Sequence, residues 1–211
     1  TPLASILGTV SSLRSFGPLY DDEARDEMLR TAQEEAERLS RYLDNLLDMT
    51  RLEGGALGPK REPVDLADVV GAALRRVGRL VSGHRVATRL PDDLPLAKLD
   101  FMLLEQVLVN LLENAARYAP KGSEIEIAAR RDAAGLTVEV ADRGPGLTAE
   151  EAAKVFDKLY RGGASAGAGL GLAVCKGFVE AMGGTIAAAP RQGGGSVFTI
   201  LFPAELLVDV G

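Results

Sequence analysis

Residues 103–120 read LLEQVLVNLLENAARYAP. Leu103, Leu104, Val107, Leu108, Leu111, Leu112 and Ala115 recur at helical spacing, which predicts an amphipathic helix with a wide apolar stripe. Asp100, just ahead of it, is the predicted N-cap. Asn110 and Asn114 lie four positions apart and share a face near the border of the stripe. Asparagine is a poor choice for a helix interior, because its amide competes for the backbone. Two of them on one face point either to hydrogen bonds with a neighbouring loop or to a ligand. A neutral amide oxygen suits Mg²⁺, which keeps waters and bridges to phosphates. The helix alone does not decide between these readings; the loops after it do.

The chain has 211 residues, enough for one or two domains with a real core. With 46% hydrophobic and 26% charged residues, it has the profile of a soluble globular chain. A net charge of −6 gives no support to nucleic-acid binding, which wants a basic face. Cys175 is the one cysteine, so no intrachain disulfide forms, and its place in a predicted helix suits a small buried hydrophobe. His84 is the one histidine, which excludes a histidine-rich metal site. No apolar run approaches the roughly 18 residues of a membrane span, and no signal peptide is expected.

Upstream, Leu3, Ile6, Leu7, Val10 and Leu13 form a helical stripe that ends at Gly17-Pro18. Pro2 fits near a helix start or at a kink. Asp21 and Asp22 offer a cap for a second helix over Asp22–Glu53, with Met28, Ala32, Leu39, Leu43, Leu46 and Leu47 on one face. Two such helices with a short loop make an antiparallel hairpin. A lone hairpin would expose its apolar stripe, so two are expected to pair into a dimeric four-helix bundle. The texture changes between residues 54 and 60. After it come predicted strands at 62–65, 85–90, 96–99, 124–131, 136–141, 185–189 and 196–202, with helices at 66–80, 148–154 and 170–182. The expected fold class is therefore α+β. A helical hairpin over 1–55 precedes an α/β sandwich over 60–211, with a largely antiparallel, hairpin-linked sheet covered by helices.

Three glycine-bearing loops follow the asparagine helix. Asp142-Arg143-Gly144-Pro145-Gly146 ends a strand; its glycines allow close approach of a ligand, and its carboxylate suits an exocyclic amine such as that of adenine. Many β-turns look like this. Phe156-Asp157-Lys158-Leu159-Tyr160-Arg161, followed by small residues, reads as an anchored flap or as an ordinary surface loop. Gly167-Ala168-Gly169-Leu170-Gly171-Leu172 opens a helix, which leaves backbone N–H groups for an anion or makes a tight loop-to-helix junction. It is neither a dinucleotide fingerprint nor a Walker A loop.

In this order and spacing, Asn110-x₃-Asn114, Asp142-x-Gly144-x-Gly146, the Phe156–Arg161 segment and Gly167-x-Gly169-x-Gly171 resemble the N, G1, F and G2 boxes of sensor histidine kinases. Those kinases share the Bergerat ATP-binding fold with gyrase and MutL. Thr1-Pro2-Leu3 resembles the end of the family's His-Asp/Glu-x-x-Thr-Pro-Leu phosphoacceptor motif. More narrowly, residues 46–53, 104–108 and 177–184 resemble the potassium-responsive KdpD sensor kinases.

The resemblance implies ATP and Mg²⁺ as cofactors, with Asn110 and Asn114 holding the metal and Glu105 helping through a metal-bound water. It implies that Arg117 contacts phosphate, Tyr118 stacks on adenine and Asp142 accepts from the adenine amine, with Gly144 and Gly146 shaping the loop. Gly167, Gly169, Leu170 and Gly171 would wrap the phosphates, Phe156 and Tyr160 would anchor the lid, and Lys158 and Arg161 would reach the γ-phosphate. The partners implied are a second copy through the hairpin and a response-regulator receiver domain, and the setting is the cytoplasmic part of a membrane-anchored bacterial sensor kinase. The implied reaction is phosphorylation of a histidine, then transfer to a response-regulator aspartate. Thr1 would position water for the reverse dephosphorylation.

Two departures bear on this. The phosphoacceptor histidine would stand four positions before Thr1, so the chain from Thr1 onward is expected to bind ATP but not to phosphorylate itself. His84, ahead of a strand in the sandwich, is expected to be structural or exposed. The lid between Arg161 and Gly167 is shorter than family lids commonly are. The alternative is an ATP-binding module of the gyrase and MutL kind, or a dimeric scaffold without turnover. The intact Asn, Asp and Gly boxes speak against a degenerate scaffold.

Overall fold

In the computed structural model, which describes residues 2–55, 57–160 and 169–208, the chain divides into two units, Thr1–Thr50 and Arg51–Gly211. The first unit is made by α1 (Pro2–Phe16) and most of α2 (Asp22–Glu53), joined through a 3₁₀ turn at Gly17–Leu19. Asp21 caps α2 by accepting from the Ala24 N–H at 2.8 Å, and Arg25 donates to the Gly17 carbonyl at 2.8 Å. Neither helix has a buried residue. Leu3, Leu7, Val10, Leu43, Leu46 and Leu47 are each more than half exposed. No helix among the described residues is long and apolar enough to cross a membrane.

The second unit carries β1 (Glu62–Val64), α3 (Leu66–Val81), β2 (Arg85–Arg89), β3 (Leu96–Leu99), α4 (Phe101–Tyr118), β4 (Glu124–Asp132), β5 (Gly135–Ala141), α5 (Ala149–Lys154), α6 (Gly171–Ala181), β6 (Thr185–Pro190), β7 (Ser196–Pro203) and β8 (Leu207–Val208). The main sheet has the order β2-β4-β5-β7-β6. Its strands alternate as a half-covered sheet must. Ile125 and Ile127 of β4, Leu136, Val138 and Val140 of β5, and Phe198, Ile200 and Phe202 of β7 lie buried on one face. Register pairs Ile127 with Val140 and Val140 with Phe198 across that face. The opposite face alternates Glu126, Ala128, Glu139 and Thr199 in the same rows.

Two features depart from the expected hairpin-linked sheet. β2 and β4 run parallel, because the chain crosses between them through β3 and α4. β1 and β3 leave the main sheet altogether and pair antiparallel in a small separate one, whose other edge is β8. β8 has only two residues, too few to show alternation in sequence.

α4 is central to the unit. Leu104, Val107, Leu108, Leu111 and Leu112 are fully buried, and Val109 is nearly so. Its start is fixed by Asp100, whose carboxylate accepts from the N–H groups of Met102 and Leu103 at 3.0 and 3.1 Å and from that of Lys60 at 2.8 Å. One side chain thus caps the helix and ties down the approach to β1. Asp100→Ala is expected to cost about 1–2 kcal/mol, read as a lower urea midpoint for the second unit with an unchanged m-value.

Candidate functional site

Asn110 and Asn114 lie one turn apart in the C-terminal half of α4. Asn110 is 9% exposed, and among the described residues its Nδ2 has no hydrogen-bond partner. Asn114, one turn on, is half-buried. Cys175 of α6 packs against this part of α4 and donates its thiol to the Val107 carbonyl at 3.8 Å. Burial pushes that thiol up to about 12, against the opposing effect of the adjacent Asn110 amide, so it stays protonated and packs as a small hydrophobe. Glu105 is half-buried, while Arg117 and Tyr118 are exposed at the end of the helix.

The end of α4 meets the Asp142 loop. A Cβ on Gly144 would stand 3.0 Å from the Tyr118 carbonyl oxygen and 2.9 Å from Asp142 Oδ1, so only glycine fits that approach. Asp142 is 5% exposed. Its Oδ1 accepts from the Gly144 N–H at 2.6 Å and from the Ser196 N–H at 3.4 Å. Its own N–H donates to the Ser196 carbonyl at 2.9 Å. Arg191 Nη1 donates to the Asp142 carbonyl at 3.3 Å. Burial pushes the carboxyl above the ordinary aspartate value, while the two N–H groups and the Arg191 charge pull it back. The result is a carboxylate sunk in the sheet edge with acceptor capacity left over. That is what recognition of an amine on a flat heterocycle requires.

The segment after α5 packs on the sheet at Phe156. Phe156 sets its ring edge-on to Phe198 of β7, with centroids 6.2 Å apart and planes at 84°. At the other end, the Leu159 N–H donates to the Gly169 carbonyl at 3.0 Å. Gly169 has φ +71°, and a Cβ there would lie 2.7 Å from the Tyr160 carbonyl oxygen. Tyr160 is half-buried at this clasp. Lys158 pairs with Glu53 at 2.5 Å in an exposed ion pair. Gly171 opens α6, with Leu170 as a cap residue that provides no side-chain hydrogen bond. Among the described residues no cap side chain bonds the first amides of α6, which leaves a position suited to an anion. Arg161, Gly167 and Thr1 lie outside the described residues. His84 is structural: its Nε2 lies 3.2 Å from the Ala116 carbonyl.

The turn between β6 and β7 belongs to this site too, although its Gly193-Gly194-Gly195 run reads in sequence only as a hairpin turn. Gly195 has φ +103°, and a Cβ there would fall 2.0 Å from the Asp142 carbonyl oxygen. Gly146 lies against the Gly195 carbonyl from the other side, at 2.9 Å for its own would-be Cβ. Gly195 thus packs against the Asp142 loop at both Asp142 and Gly146. The unusual length of the glycine run was the one sequence signal for it.

The comparisons with known proteins agree with this arrangement. Residues 99–206 match the family model described as histidine kinase-, DNA gyrase B- and HSP90-like ATPase. Residues 1–55 match the His Kinase A (phospho-acceptor) domain. The chain belongs to the sensor histidine kinase family. Among its relatives, the sensor protein KdpD of Clostridium acetobutylicum is 35% identical over 211 residues, covering 98% of this chain and 23% of the relative. The sensor protein KdpD of Escherichia coli (strain K12) is 41% identical over 169 residues, 79% of this chain and 19% of the relative. The chain thus spans about a quarter or less of the length of these relatives. The solved structure of Acinetobacter baumannii histidine kinase AdeS superposes with a TM-score of 0.76 at 25% identity, covering 97% of this chain and 95% of that one. The ATPase family match, residues 99–206, falls within the second unit.

Gly195→Ala forces either the Asp142 loop or the β6–β7 turn to move. It is expected to weaken nucleotide binding about tenfold or more, on the scale of one lost charged hydrogen bond, as read by calorimetric titration. Far-ultraviolet circular dichroism should remain that of the folded chain.

Proposed function

We propose that this chain is the catalytic core of a two-component sensor kinase that uses Mg²⁺ and ATP to phosphorylate a histidine, from which the phosphoryl group passes to an aspartate of a response regulator. Residues 1–55 are read as the dimerisation and phosphotransfer hairpin and residues 60–211 as the catalytic domain. The observation that carries the reading is the buried Asp142 carboxylate, held by the Gly144 and Ser196 N–H groups beside the end of the asparagine helix.

The residues fit both cofactors. At Gly144 and Gly169 the loop backbone passes neighbouring backbone closer than any Cβ would allow, a tight form that suits loops presenting main-chain groups to a ligand. Asn110 buries its amide nitrogen unpartnered, which suits an amide whose oxygen serves a metal. On this reading Asp142 orients the base and Tyr118 covers it. Asn110 and Asn114, with Glu105 behind them through water, hold Mg²⁺, which when bound neutralises phosphate charge. Arg117 and the amides at Gly167, Gly169, Leu170 and Gly171 surround the phosphates, and Lys158 and Arg161 approach the γ-phosphate. Lys158 would first have to leave Glu53; an exposed pair of that kind is worth about 0–1 kcal/mol, so the exchange is cheap. Phosphoryl transfer asks mainly for positioning and charge neutralisation, which this set supplies.

The exposed apolar stripes of α1 and α2 support pairing with a second copy into a four-helix bundle. Thr1 stands where the family motif has its threonine and would position the water for dephosphorylation of the regulator. The setting proposed is the cytoplasmic part of a membrane-anchored bacterial sensor.

The test is calorimetric titration of ATP with and without Mg²⁺. The unmutated chain is expected to bind, and Asp142→Asn to lose about tenfold or more in affinity, because an amide nitrogen facing the adenine amine cannot accept from it. Asn114→Ala is expected to raise the Mg²⁺ concentration needed for half-maximal binding several-fold, with Mg²⁺-free binding unchanged. Equal affinity in Asp142→Asn overturns the adenine assignment. Extending the N-terminus to complete His-Asp/Glu-x-x-Thr1-Pro2-Leu3 is expected to confer acid-labile labelling from γ-labelled ATP; no labelling by an extended chain that binds ATP would refute the kinase reading.

A further inference from the structure

Arg191 lies outside the four boxes, in the turn that follows β6. Its side chain is only 14% exposed, which is unusual for an arginine and expensive unless its charge is paired. It is paired twice over. Nη2 forms a short ion pair with Glu126 of β4, itself 16% exposed at the side chain. Nη1 donates to the Asp142 carbonyl at 3.3 Å. Glu126 also receives Arg89 Nε of β2 at 2.9 Å. One planar guanidinium therefore links β4 to the main chain of the residue on which the site depends.

The direction of approach matters. Glu126 and Ala141 are opposite each other in register and lie on the sheet face away from the buried row. By strand alternation, Asp142 turns its carboxylate to the other side. Arg191 thus holds the Asp142 peptide from behind, across the sheet from the side chain. It does so at one wall of an open groove of about 250 Å³, lined by Glu126, Ala128, Glu139 and Val197 among others.

We propose that Arg191, anchored by Glu126, is a positioning residue for Asp142, fixing its loop and its charge from the outer face of the sheet. The proposal rests on the reading of Asp142 as the adenine acceptor. Among the described residues, Arg191 reaches Asp142 at its main-chain carbonyl, with Glu126 and Arg89 beyond it. Arg143 turns away to the Gln192 carbonyl at 3.4 Å, and Glu139 is occupied by Arg130 at 2.6 Å. From behind the peptide, the Arg191 charge opposes the upward push of burial on the carboxyl. The sign follows. A carboxyl that gains protons more readily loses its acceptor function at a higher pH, so removing Arg191 moves the acid loss of nucleotide binding upward. A residue that only braced the turn would lower affinity without moving that limb.

The experiment is calorimetric titration of Mg-ADP as a function of pH, from neutral down toward the ordinary aspartate range, on the unmutated chain, Arg191→Gln, Arg191→Lys and Glu126→Gln. Arg191→Gln is expected to lower neutral-pH affinity roughly three- to tenfold, the scale of one hydrogen bond, and to shift the acid limb upward. Arg191→Lys, which keeps the charge but not the fork, should restore the limb and only part of the affinity. Glu126→Gln should lower affinity with the limb in place; it is also the fallback should Arg191→Gln not fold. Folded variants with unchanged affinity and an unchanged limb overturn the proposal. Asp142→Asn separates the two claims. If it binds Mg-ADP as well as the unmutated chain does, the adenine reading fails. If it loses binding while the Arg191 and Glu126 variants match the unmutated chain, only the positioning role fails.

Discussion

A carboxylate taken out of water costs several kcal/mol unless hydrogen bonds and charge replace the lost solvent. Asp142, at 5% exposure, is such a group, and the architecture of the second unit can be followed from what it needs. Two N–H donors reach its Oδ1, from Gly144 on its own loop and from Ser196 at the start of β7. Both require backbone closer than any Cβ would allow, which is why glycines stand at 144 and 195. The edge of the sheet, the loop after β5 and the β6–β7 turn are therefore one mechanical object. Their joint product is an acceptor held still by backbone donors.

α4 reconciles two demands on one helix. Its leucines and valines fill the centre of the unit, with five side chains fully buried, while Asn110 is buried among them and Asn114 is half-buried. A polar amide at the border of such a core is stable only if a neighbour tolerates it. Cys175 supplies that neighbour, a small polarisable group whose thiol is already committed to the Val107 carbonyl. Stability and site geometry are thus set by the same few contacts. Changes in the core of α4 should be felt at the asparagines even where no ligand is touched.

The two units contrast sharply. The second hides its apolar residues between helices and sheet. The first leaves Leu3, Leu7, Val10, Leu43, Leu46 and Leu47 more than half exposed along two long helices. Apolar surface of that extent does not stay uncovered in water. A helix pair without buried residues has little stability of its own, because helical stability comes mostly from packing of an apolar face.

Much of this was legible before any coordinates. Periodicity placed α4, capped by Asp100, and bounded α2 at Asp22 and Glu53. Spacing among Asn110, Asn114, Asp142, Gly144, Gly146 and the glycines after the flap carried the family resemblance. These features are local or ordered along the chain, so a linear reading reaches them. The parallel β2–β4 pair, the separate β1-β3-β8 sheet and the clamp of Gly195 on Asp142 were not legible. Nor was the link from Glu126 through Arg191 to the Asp142 carbonyl, whose three members are spread over 65 positions. Such contacts depend on which strands become neighbours, and an isolated Arg or Glu has the same look in sequence whether it is solvated or buried. The sequence by itself determined the elements and the chemistry available to the site; tertiary structure alone decided which backbone amides reach its carboxylate and which cation lies behind its peptide, because those distances exist only once the sheet has closed.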